Sequence, residues 1–165
     1  MRAGLVVLLA LPACAQDQMA LLREQFEKEA DPARKAKALT RLGSAQWDAA
    51  RKASALEDYV EVRRLVRQYL DDTEAAADAL KASGIDAEKK PRGFKELQIH
   101  VRKSLRELDQ LILSVPAEQR GSLEVYRRDL QAIERQLINE LFPRQPGKEP
   151  PKARSSAGRI QAAAG

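Results

Sequence analysis

Side-chain chemistry needs a nucleophile, a base or a set of metal ligands, and this chain has few of each. His100 is its only histidine and Cys14 its only cysteine. A lone histidine cannot complete a zinc site, which takes three or four N, S or O ligands. His100 stands beside an apolar stripe, next to Val101, and reads as a polar residue at a helix edge. No serine has a helper at a readable spacing, and Cys14 lies in the N-terminal apolar stretch, so acyl-transfer triads have no candidates.

Carboxylates gather at Glu57, Asp58 and Glu61, and again at Asp71, Asp72 and Glu74. Paired carboxylates can move protons or hold a hard cation. Here they interleave with Arg63, Arg64 and Arg67 at helical spacing, so ion pairs on a solvated face account for them. No Glu-x-x-His pair marks a di-iron bundle. No strand precedes a glycine-rich phosphate loop. Arg63-Arg64 and Arg127-Arg128 have acids close by and no aromatic placed to stack a base, which argues against nucleic acid. No catalytic residue, cofactor or metal site is expected.

Helices must position whatever function remains. Of the 165 residues, 32% are charged and only 4% aromatic, a composition for a slim bundle. No alternating β-branched run appears. The strongest pattern spans Phe94 to Leu141. Phe94, Leu97, Val101, Leu108, Leu111 and Val115 follow steps of three and four, and Leu105 and Ile112 widen that face. Leu123, Tyr126, Leu130, Ile133, Leu137 and Leu141 repeat the spacing. The break at Ser114-Val115-Pro116 is short enough to force an antiparallel hairpin, with Pro116 opening its second helix.

An earlier pair is expected over about 32–54 and 56–81. Its first face is Ala36, Leu39, Leu42, Trp47, Ala50 and Ala53, with Gly43-Ser44 as a bend or a close-packing point. Its second is Tyr59, Val62, Val66, Tyr69, Thr73, Ala76 and Leu80, broadened by Leu65 and Leu70. Gly84 stops that helix, and residues 83–93 form a polar linker. A shorter helix over 17–30 carries Met19, Leu22 and Phe26, with Asp17 as its N-cap and Asp31-Pro32 as its end. Residues 39–62 resemble a single tetratricopeptide helix pair through Leu42-Gly43, Ala55 and Tyr59. Trp47 is one place off that pattern, and Arg67 stands where the closing proline would be. With no second copy 34 residues on, the resemblance implies a helix hairpin and no more.

Both ends differ from the body. Leu5 to Leu11 is an apolar run of signal-peptide length, well short of the ~20 residues of a membrane span. Ala13 and Ala15 fit small-x-small cleavage, making 1–15 a leader and Gln16 the first mature residue. The alternative is a lipoprotein box, Leu11-Pro12-Ala13-Cys14, which would anchor the protein through a lipid on Cys14. From residue 143 onward Pro, Gly, Ser and Ala dominate, and a disordered tail is expected. The net charge of +5 resides at these ends. With the six basic residues and one acid of 1–15 and 143–165 set aside, the body keeps 23 of each sign. A formally neutral body does not read as a nucleic-acid surface.

The expected molecule is all-α: an elongated bundle of two antiparallel helix hairpins, a short N-terminal helix and a disordered C-terminal tail. Its expected role is binding or scaffolding in a bacterial envelope, periplasmic or secreted. The partner would be a protein or a second copy meeting the helix faces, with membrane contact only through lipidated Cys14. An enzyme or metal-binding bundle is the competing class.

Overall fold

A computed structural model describes residues 13–143, with side chains from Asp17 onward. Residues 1–12 and 144–165, which hold most of the expected 1–15 leader and of the expected 143–165 tail, lie outside the described residues. Five helices follow in order: α1 (Ala13–Lys28), α2 (Pro32–Ala55), α3 (Tyr59–Ala82), α4 (Phe94–Ser114) and α5 (Ala117–Leu141). No strand occurs among the described residues.

Local chemistry sets the helix ends. The Asp31 carboxylate accepts the Arg34 N–H at 2.8 Å and Pro32 occupies the first turn of α2, where its missing donor is harmless. Asp58 caps α3 by accepting from the Glu61 N–H at 3.0 Å. Ser83 closes α3 and Gly84 follows, as the sequence implies. Gly93 precedes α4 at φ +86°, and its N–H donates to the Glu96 carboxylate at 2.5 Å. A β-carbon there would meet Leu80 Cδ2 at 2.8 Å and Ala33 Cα at 2.9 Å, so both the backbone angle and the space require glycine. Pro116 caps α5 from outside, with ψ 152°, and the helix begins one residue later than expected.

Two other boundaries depart from expectation. Asp17 is not an N-cap, because helix-forming Ala13, Ala15 and Gln16 carry α1 upstream past it. Leu56 is not in α3. It lies in the three-residue turn after α2, 80% exposed, and α3 waits for the Asp58 cap.

The stripes bury against one another. α2 packs on α3, α3 on α5, α5 on α4 and α4 on α2, which leaves α3 and α4 on a diagonal. Cross-helix contacts give the directions. Gln98 and Arg102 reach Glu134, and Asp109 reaches Arg127, so α4 and α5 are antiparallel. Trp47 meets Ser104, Arg51 meets Glu107 and Ser54 meets Ser114, so α2 and α4 are parallel. Arg63 on Gln119 and Arg67 over the Tyr126 ring make α3 and α5 parallel. The two hairpins thus lie side by side, with both tight turns at one end and the 83–93 linker at the other. Each fully buried leucine of the seam, such as Leu42, Leu80, Leu108 and Leu130, contributes about 1.5–3 kcal/mol by leaving water. α1 lies against α2 on the flank of the first hairpin. Phe26 is buried there beneath the Lys35 ammonium, 4.9 Å from the ring centre.

Candidate functional site

The polar groups that the core encloses are the first candidates for function. Gly43 leaves a notch on α2. A β-carbon at that position would stand 2.5 Å from His100 Nε2 and 2.7 Å from Tyr69 Cε2. Gly43 is therefore a close-packing point, the second of the two readings its sequence allows. The Tyr69 ring packs between Trp47, 5.1 Å away centre to centre, and His100, 5.8 Å away and edge-on. Trp47 Nε1–H donates to Ser104 Oγ at 2.9 Å. Thr73 donates back to the Tyr69 carbonyl at 2.7 Å.

His100 corrects the sequence reading. It is 8% exposed and faces the interior, because α4 is flanked by α2 on one side and α5 on the other. That double packing widens the buried arc to take in His100 and Ser104. Burial pushes the imidazole pKa down to about 4, and the nearby Lys103 charge adds to the effect, so the ring is neutral at pH 7. Its Nε2 finds no hydrogen-bond partner. The Tyr69 hydroxyl is likewise without one of good geometry, although Ser104, Thr73 and Trp47 surround it.

Ser104 stands one helical turn from His100, a spacing the sequence reading passed over. The pair does not make a nucleophile and base. Ser104 is 1% exposed, its oxygen accepts from Trp47, and no hydrogen bond links it to His100. A recess of about 40 Å³ opens beside them, rimmed by Asp48, Arg51, Lys103 and Glu107. That is room for a water molecule or two, and too little for a substrate.

A second buried polar cluster ties α1 to the bundle. Asp72 is 7% exposed. Its carboxylate accepts from both terminal nitrogens of Arg23, at 3.2 and 2.7 Å, and from Gln46 Nε2 at 2.8 Å. The bidentate fork and the added amide compensate the buried charge. This overturns the placing of Asp72 on a wet face with its neighbours. Part of that reading is present: Arg64 pairs with Glu61 and Arg67 with Asp71 on the exposed side of α3. Arg63 and Arg127 turn inward instead and tie α3 and α4 to α5 through Gln119 and Asp109.

Among the described residues, no three His, Cys, Asp or Glu side chains cluster closely enough to hold a metal ion. None of the described helices is long and apolar enough to cross a membrane. The polar interior acts as a positioning device: it sets the depth of Trp47, Tyr69 and His100 and locks α1 in register. Leu56, Val60 and Leu113, 70–80% exposed, belong to the end of the bundle that carries both tight turns. No family model matches the chain, and comparison with curated proteins and with solved structures returns no significant match.

Proposed function

We propose that the protein is an exported binding or scaffolding module of a bacterial envelope, acting through its helical surface and without catalysis. The observation that carries this reading is the closure of the interior. Trp47 bonds Ser104, and Asp72 bonds Gln46 and Arg23 of α1; all but Arg23 are buried, and the recess beside Trp47 and Ser104 is too small for a substrate. Three large aliphatic side chains at the two-turn end have no such cover, and solvent-facing leucines are what a partner helix or a second copy would bury. Export rests on the apolar N-terminal run and its Ala13-x-Ala15 site.

Two measurements test the reading. Intact mass from the envelope fraction separates a chain starting at Gln16 from one lipidated on Cys14; an uncleaved cytosolic chain sinks export. A photo-crosslinker placed at Leu56 or Leu113 should join a protein partner or a second copy in cells, while the same group at exposed Asp78 should not. Equal labelling at all three positions removes the two-turn end as the contact surface.

A further inference from the structure

A cleft of about 480 Å³ lies where the end of α1, the first three turns of α2 and the last linker residues meet. Lys28, Arg34, Lys37, Arg41 and Arg92 all line it, and Glu29 is the only acid among its lining residues. Two of the five cations are satisfied locally. Lys28 pairs with Glu24, and Arg34 with Glu29 and Asp31. Glu29 is further engaged by the Asp31 N–H at 2.9 Å. Lys37, Arg41 and Arg92 have no carboxylate within ion-pair distance among the described residues, although all three are exposed and border one concavity. This is a local excess in a body with equal numbers of both signs.

We propose that this cleft binds a phosphate-bearing anion, either a free phosphate compound or the headgroup of an anionic lipid. Two guanidinium forks can each engage two phosphate oxygens, and Lys37 adds a compact charge one turn from Arg41. A single carboxylate would satisfy one fork and leave the other two cations without a partner. A group with two or three oxygens on several sides answers all three. Arg92 belongs to the linker and Lys37 and Arg41 to α2, so the ligand would also join the linker to the first hairpin. Salt weakens such a contact, which places it in the exposed, screened regime.

The full chain is titrated with inorganic pyrophosphate by calorimetry at low ionic strength. In parallel it is floated with phosphatidylcholine vesicles with and without phosphatidylglycerol. Lys37→Ala/Arg41→Ala/Arg92→Ala should weaken binding at least about tenfold. A second triple, Lys52→Ala/Arg106→Ala/Arg128→Ala, removes the same charge from exposed cations that do not line the cleft and lie away from the linker end, and should bind like the parent. All six side chains are exposed, and an unchanged Tm verifies that both variants fold. A pyrophosphate response assigns a free phosphate compound, and a response to phosphatidylglycerol alone assigns a lipid headgroup. Failure of both probes, or equal loss in the two triples, overturns the proposal.

Discussion

His100 Nε2 occupies the space that a side chain on Gly43 would fill; an ideal β-carbon at Gly43 would sit 2.5 Å from it. The glycine on α2 and the imidazole on α4 form one packing unit, with the Tyr69 ring, 2.7 Å from the same point, as its third member. Gly43→Ala gains about 1 kcal/mol of helix propensity and loses about 1–3 kcal/mol to overpacking. Both obstructing groups are rings held by neighbours, so the loss wins, and urea unfolding should show a net destabilisation of up to about 2 kcal/mol. Combining it with His100→Ala should cost less than the sum of the two single changes. Additive costs would mean that the two positions do not share space.

The same burial makes stability depend on pH. His100 titrates at about 4 in the folded state and near 6.5 when unfolded, so the unfolded chain takes up the proton first as pH falls. Its contribution is complete above pH 6.5, declines between 6.5 and about 4, and is flat below. That window corresponds to roughly 3 kcal/mol. Carboxylates also lose stability in acid, so the comparison is with His100→Leu, which should show a shallower fall between pH 6.5 and 4. At the alkaline side burial raises Tyr69 to about 12 against its usual 10, so stability is lost as pH rises through that interval. Identical acid limbs for parent and variant would place His100 in solvent.

How far these features are legible in the sequence depends on whether their cause is local. The stripes of α4 and α5 are periodicity, and nearly every residue on them is buried. Asp31-Pro32 and Gly84 are stop and start signals with their own chemistry, and they fall where expected. His100 and Asp72 are set by neighbours 57 and 49 positions away, Gly43 and Arg23. His100 sits next to Val101 on an arc that only becomes interior once α2 and α5 close on both sides of α4. Asp72 belongs to a run of acids and arginines that reads as one solvated ladder. Its turn toward the core is decided by α1 lying over it. The hint available was Thr73 on the stripe, since a residue adjacent to a buried position on a helix with neighbours on two sides is itself half inside.

Arg23 and Asp72 should govern the docking of α1. Arg23→Met keeps the stem length and removes the charge, leaving the Asp72 carboxylate with Gln46 alone. Arg23 is 25% exposed, so the cost falls below that of a fully buried pair, at about 1.5–3 kcal/mol. Hydrogen exchange should rise in α1 before it rises in α3 or α4, because α1 is held by this fork and by Phe26 at the edge of the bundle. Uniform acceleration across all five helices would mean that α1 is part of the cooperative core and not a separately opening flank.

Glu57 offers a change in the opposite direction. It holds φ +59° in the turn between α2 and α3 and is the only non-glycine residue with a positive φ among the described residues. An L-residue in the left-handed region loses about 1–2 kcal/mol to the clash of its β-carbon, and asparagine tolerates the region better. The Glu57 side chain is exposed, with no salt bridge of its own among the described residues, so nothing offsets that strain. The turn itself is fixed by the backbone, with Asp58 N–H on the Ala53 carbonyl at 2.9 Å and Glu57 N–H on that of Ser54 at 3.1 Å. Glu57→Asn should therefore raise stability by about 0.5–1 kcal/mol, while β-branched Glu57→Val should lower it by a similar amount. Thermal melts of the two variants check the sign: a lower Tm for Glu57→Asn would show that the turn relaxes out of the left-handed region in solution.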